Sequence, residues 1–138
     1  MATKQSTGML TKGITLSYKL DDEFVILEDL QEVPDLGGET ETVEVTTLKD
    51  GAKRYIKGLV DYGELEFGFL YGNESDSSFK VLQGLEDAGD PVDFKVTLPD
   101  NTEISFSAEV SLKINAAVVG EALTFTATLA LNSEMVFA

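Results

Sequence analysis

The sequence predicts a mainly β protein, a sandwich or barrel of long antiparallel strands with one α-helix and a long loop arm. Three observations carry this reading. Apolar residues recur at every second position in runs from residue 14 to residue 131, the period of a strand with one face in a core and the other in water. Clusters of Gly, Pro, Asn and Asp separate the runs, as residues that turn a chain should. Apolar residues at helical spacing stand out in one stretch. A chain of 138 residues has room for one sizeable core and not for two.

Residues 1–12 are polar and read as an N-terminal arm, followed by a single domain over 13–138. Ile14, Leu16 and Tyr18 alternate with Thr15, Ser17 and Lys19 as a short strand, and Asp21-Asp22 turns the chain. Glu23 to Val33 reads as a second strand of mixed alternation, Phe24 and Ile26 against Val25 and Leu27, ended by Pro34, Gly37 and Gly38. The loop arm then occupies about 34–63. Inside it Val43 and Val45 alternate with Thr42, Glu44 and Thr46 as a half-buried strand. The stretch that follows, punctuated by Asp50-Gly51, Gly58 and Gly63, is expected to be neither strand nor helix. Leu65, Phe67 and Phe69 against Glu64, Glu66 and Gly68 restore a clean strand.

The helix is expected at about 75–88. Asn73 to Ser75 supply capping side chains, Asp76 suits the positive helix N-terminus, and Phe79, Leu82 and Leu85 form an apolar stripe widened by Val81 and Ala88. Gly89 is placed to terminate it in the left-handed conformation, and Pro91 prevents continuation. Gly84 costs about 1 kcal/mol relative to Ala, so this helix should lean on packing against a sheet edge or face. Three strong strand runs follow: Val92 to Leu98, Ile104 to Ile114 and Leu123 to Leu131. Turns at Pro99-Asp100-Asn101 and Val119-Gly120 separate them.

Hydrophobic residues at 43% and charged residues at 25% are those of a folded globular domain. The net charge of −15 disfavours a sequence-independent grip on DNA, which needs Lys and Arg at the phosphates, and docking on anionic membranes. Cys and His are absent, so no disulfide, thiol nucleophile or Ser-His-Asp triad is available. No apolar run in the first residues is long enough for a signal peptide or membrane span, and the chain is expected to be intracellular when made. Glu64 and Glu66 could in principle serve carboxylate chemistry, but a solvated strand face accounts for them far better, since acids are abundant and no second pair is specified. Asp21-Asp22-Glu23 does not match a spaced calcium loop, and Gly63 to Gly68 lacks the Lys and Ser/Thr of a phosphate loop. No catalytic residue, metal ligand or cofactor is therefore assigned.

Assembly is the better-supported class. Lys49, Lys53, Arg54 and Lys57 stand close together in a chain with only 10 basic residues, and they flank Tyr55 and Ile56. A basic, partly apolar arm on an acidic body is built to reach a neighbouring copy, and long arms in compact domains are usually functional. Residues 41–69, ETVEVTTLKDGAKRYIKGLVDYGELEFGF, resemble the tail tube proteins of long-tailed phages. In those proteins a V-E-V-T-T-like strand, a polar loop, a Tyr-Ile pair and a Gly-Leu-x-Asp-x-Gly-like turn precede an aromatic strand. The similarity extends from about Ile14 onward and rests on the order of elements, and related folds occur in contractile-tail and type VI secretion tubes. The resemblance implies a non-enzymatic subunit of stacked hexameric rings that form the tail tube through which phage DNA passes without specific binding. It implies that the arm, with Lys49, Lys53, Arg54, Tyr55, Ile56 and Lys57, reaches the adjacent ring. Tape-measure and tail-terminator proteins would be its other partners, membranes would not, and the subunit would be made in the host bacterial cytoplasm and end in the virion tail. Taken with the acidic charge, it implies a lumen lined by Glu64, Glu66, Glu103 and Glu109, which would repel DNA. The alternative is an acidic β-sandwich that binds a ligand or receptor, which should expose an aromatic platform.

Overall fold

The computed structural model describes residues 5–137, so residues 1–4 of the expected N-terminal arm lie outside the described residues. In chain order the elements are β1 (Thr15–Leu20), β2 (Glu23–Leu27), β3 (Leu30–Glu32), β4 (Glu39–Glu44), β5 (Tyr55–Asp61), β6 (Glu64–Leu70), α1 (Ser78–Ala88), β7 (Val92–Thr97), β8 (Glu103–Ile114), β9 (Thr124–Leu131) and β10 (Val136–Phe137). All but β4 and β5 join one antiparallel eight-stranded sheet in the order β2-β1-β7-β8-β9-β6-β3, with β10 also on β8.

The long run from Ile104 to Ile114 explains how one sheet encloses a core. β8 has 12 residues, and β7 pairs with its first half (Thr97 opposite Glu103 to Val92 opposite Ala108). β9 pairs with its second half (Ala108 opposite Leu131 to Ile114 opposite Phe125). β8 therefore belongs to both halves of a wrapped sheet, β2-β1-β7-β8 on one side and β8-β9-β6-β3 on the other. The alternating apolar residues of both halves join in one cluster, in which Phe67, Phe69, Phe94, Phe125, Leu16, Leu129 and Val96 are fully buried. Removing side chains of this size from water stabilises the fold by about 1.5–3 kcal/mol each. Phe69 and Phe125 stack with centroids 5.1 Å apart, and Phe79 from α1 meets Phe125 edge-on at 5.1 Å.

α1 covers the edge of β8 that β7 leaves free. Leu82 is completely buried, and the Glu86 carboxylate accepts the Leu112 backbone N–H at 2.6 Å. At the other end of the helix the Ser78 hydroxyl donates to the Glu28 carbonyl, tying α1 to the β2–β3 link. Gly89 takes φ 74° and its N–H reaches the Glu86 and Leu85 carbonyls, as the expected terminator should. The start differs from expectation. The helix begins at Ser78, the cap is Ser77, whose Oγ accepts the Lys80 N–H, and Asn73 to Asp76 precede it. Ser77 also donates to the Gly72 carbonyl and its own N–H bonds the Glu74 carbonyl, so residues 74–77 form a separate turn.

Two further expectations are corrected. Glu23 to Val33 is not one strand. β2 pairs with β1 and β3 with β6, so the chain leaves one end of the sheet and joins the other through Glu28 and Asp29, the latter at φ 69°. The mixed alternation has this cause: Leu27 and Leu30 both pack on the core yet stand three positions apart, which no single strand permits. The arm is a β-hairpin. Tyr55 to Asp61, expected to be irregular, is a strand, and it pairs with β4 from Glu39 opposite Asp61 to Glu44 opposite Tyr55. Every residue of both strands is exposed, so the strand expected as half-buried around Val43 has no core against it.

Candidate functional site

The arm and one outer sheet face are the surfaces on which function can be sought. Among the described residues no group of acidic side chains is arranged to hold a metal ion. An open concavity of about 620 Å³ lies at the root of the arm, lined by residues 34–39 and 61–66. Two carboxylates are held below the ordinary Asp range, and both lie in turns. Asp100 is lowered by the side chain and backbone N–H of Thr102. Asp50 is lowered chiefly by the Thr47 backbone N–H, with Arg54 and the Thr47 hydroxyl assisting. These are stitches of local structure, not acid–base groups facing a substrate.

The arm tip is built around Asp50. Its carboxylate accepts the Thr47 N–H at 2.7 Å, the Thr47 hydroxyl at 3.1 Å and the Arg54 Nε–H at 3.0 Å. The Arg54 N–H donates to the Thr46 hydroxyl, and the Val45 N–H to the Arg54 carbonyl. Of the four bases in the sequence cluster, Arg54 is thus paired within its own loop, while Lys49, Lys53 and Lys57 project into solvent. Ile56 lies opposite Val43 and Tyr55 opposite Glu44, so successive apolar residues fall on opposite faces of the hairpin. Tyr55 and Ile56 are each 55% exposed, Leu59 81%, and Leu48 at the tip is entirely free. Sequence reasoning missed Leu48, Leu59 and Val60 as part of this surface. The adjacent Leu59-Val60 pair after Gly58 was the available signal, since two neighbouring apolar residues cannot share one face of a regular strand.

The four carboxylates expected to share a wall are only partly brought together. Glu64 lies opposite Ala130, and Ala130 opposite Glu109, placing the two acids on one outer face two strand spacings apart, about 10 Å. Glu66 occupies the next row of that face, with Thr128 and Ser111. Below it come Gly68, Thr126 and Lys113, and Asn115 bridges the hydroxyls of Thr124 and Thr126 at 2.9 and 2.8 Å. Glu103 stands apart. It lies six residues along β8 on the β7 half and forms an ion pair with Lys95 at 3.2 Å, and that lysine also lies 4.3 Å over the Phe24 ring. Phe24, Tyr55 and Phe137, the exposed aromatics, sit on three different elements and make no platform of the kind a ligand-binding module needs.

The fold is shared with chains of several solved tail and injection-system assemblies. The tail of an empty gene transfer agent particle, described with C6 symmetry, aligns with a TM-score of 0.75 and 16% identity over 95% of this chain and 99% of that one. The tube-terminating cap of the anti-feeding prophage gives 0.74 and 14% over 100% and 95%. The sheath-tube complex of an extracellular contractile injection system in its extended state gives 0.73 and 13% over 96% and 92%. No curated protein matches the chain by sequence. A family model described as phage tail tube protein, TTP, matches residues 5–138. That family model covers nearly the whole chain, and the chain belongs to the phage tail tube protein family, structural proteins of phage-like tails.

Proposed function

We propose that the protein forms hexameric rings that stack into the tail tube, and that phage DNA passes through the lumen of that tube. The observation that carries this is the arm: a two-stranded hairpin exposed along its whole length, with apolar residues on both faces. A hairpin of this kind is marginal in water by itself and gains its stability when a partner covers it. Six copies per ring is supported by the C6 symmetry of the gene transfer agent tail. The terminator partner is supported by the cap in the anti-feeding prophage. A tape-measure partner and synthesis in the host bacterial cytoplasm belong to the same reading, which family membership supports.

Lys49, Lys53 and Lys57, with Tyr55 and Ile56, are the stacking contacts, and Arg54 holds the tip in shape. Glu64, Glu66 and Glu109 face the lumen among small hydroxyls. Six copies at −15 each carry a formal charge on the order of −90, and an anionic wall offers DNA no phosphate-binding stations. Glu103, paired with Lys95, contributes less to that repulsion.

Negative-stain microscopy of the purified protein over a concentration series tests the reading. Rings and tubes are expected, with subunit interfaces on the order of 2,000 Å² or more. A species that stays a 14.9 kDa monomer at high concentration in every salt overturns it. Reversing Lys53 and Lys57 to Glu should leave a folded subunit that no longer elongates.

A further inference from the structure

The corner between β1 and β2 is another apolar surface that the described fold leaves uncovered. Asp21 and Asp22 take φ 49° and 69°, the left-handed pair of a tight hairpin turn, and Glu23 follows directly. Leu20 is 48% exposed before the turn, and Phe24, Val25 and Ile26 are 40, 40 and 53% exposed after it. β2 is also the terminal strand of the sheet, so these three consecutive apolar residues lie on a strand with a free edge. An exposed, apolar, unpaired edge is a ready template for pairing with another chain unless something covers it.

The chemistry of the corner is the complement of the arm tip. The corner offers three consecutive acids against one base, Lys19, while the other nearby cation, Lys95, is taken up by Glu103 and the Phe24 ring. The arm separates its charges along its length. Glu39 and Asp61 sit at the root, Glu41 lies mid-arm at the level of Lys57 and Gly58, and toward the tip Lys49 and Lys53 face a single unpaired acid, Glu44. Three other exposed apolar segments are poorer matches: Met9 and Leu10 have no acid beside them in the sequence, Val118 and Val119 in the β8–β9 turn have one, Glu121, and Val136 and Phe137 have Glu134. We propose that the β1–β2 corner of one copy seats the arm tip of another, its acids meeting the lysines and its Phe24–Ile26 edge covering Tyr55 and Leu48. The inference rests on the arm being the stacking element. Arm and corner are different patches, so the contact is head-to-tail and propagates from copy to copy instead of closing on itself.

The absence of cysteine makes the test direct, since introduced thiols are the only ones present. Lys53→Cys and a size-tagged Glu23→Cys variant are mixed under tube-forming conditions and treated with a short bismaleimide. A cross-linked heterodimer is expected in tubes and not in dilute monomer. Cross-linking of Lys53→Cys to Glu121→Cys or Glu134→Cys instead, with none to Glu23→Cys, overturns the corner and leaves the stacking role of the arm intact. No cross-link to any copy in well-formed tubes overturns the arm reading itself. A second measurement uses Asp21→Asn, Asp22→Asn and Glu23→Lys together, because Asn keeps the left-handed turn. With an unchanged melting temperature, this variant should raise the critical concentration for tube growth about tenfold, the combined effect of two or three surface charge pairs. Adding Lys53→Glu and Lys57→Glu in the same chain should restore growth, and tube formation at the original critical concentration without them overturns the proposal.

Discussion

Asp50 shows how a single half-buried carboxylate can shape a surface without stabilising the fold as a whole. It gathers Thr47 and Arg54 into one turn, and its pKa is lowered first by the Thr47 N–H. A lowered carboxyl contributes order that is present above its unfolded value of 3.8 and lost as pH falls through the folded value below it. Asp50→Ala is therefore expected to speed amide exchange at Thr47 at neutral pH, with the melting temperature unmoved; protection unchanged from the parent would show the stitch to be idle. Phe125 is the opposite case. It stacks on Phe69, meets Phe79 edge-on and is wholly buried, so Phe125→Ala should lower stability by about 3–5 kcal/mol in urea unfolding. A loss below 1 kcal/mol would mean that the three-ring cluster does not hold α1 to the sheet. Phe125 was readable in the sequence because its neighbours alternate. The pairing of Arg54 was not, since four bases in a row of residues look equivalent until the turn is folded.

At the scale of elements, legibility followed the core. β6, β7, β8 and β9 each press one face on buried neighbours, and their period of two is visible in the residues. β5 has no core to alternate against, so Tyr55, Ile56, Leu59 and Val60 carry no strand period and the element was hidden. The start of α1 was misplaced because Asn73, Ser75, Asp76 and Ser77 are all competent caps, and the choice fell to the turn that Ser77 closes with Gly72 and Glu74. The helix supplies a paired prediction. A methyl group at Gly84 would meet nothing within 4 Å, so Gly84→Ala should stabilise by about 0.5–1 kcal/mol. Ser77→Ala should remove about 1 kcal/mol by leaving the first turn uncapped. Thermal melts that shift in the same direction for both would contradict this account of the helix ends.

For the whole molecule the division of the outer surface matters most. Glu64, Glu66 and Glu109 share one hydroxyl-rich face, whereas Glu103 lies on the other half of the sheet beside Lys95. Alternation marked all four as solvent-facing, but only strand pairing tells which strands share a face, and pairing is a long-range property that periodicity does not encode. Replacing Glu66 and Glu109 by Lys should leave tubes intact and slow genome ejection from assembled particles, because cations on the wall would bind phosphate. The same exchange at Glu103 should have the smaller effect. Ejection at the parental rate in the first variant would remove that face from the lumen.

The sheet order also governs when a subunit becomes competent. β1 waits for β7, with Ser17 bonding Lys95 across 78 positions, and Phe69 on β6 waits for Phe125 on β9. The β2-β1-β7-β8 half cannot close during synthesis until β8 has emerged, and the β8-β9-β6-β3 half not until β9 has; topologies of such long reach fold in milliseconds to seconds. The β4–β5 arm is local and needs none of this. An unfinished chain can thus display its sticky hairpin long before it has a body, while the β1–β2 corner acquires its backing from β7 only late. On the proposed stacking, only completed subunits offer both ends of the joint.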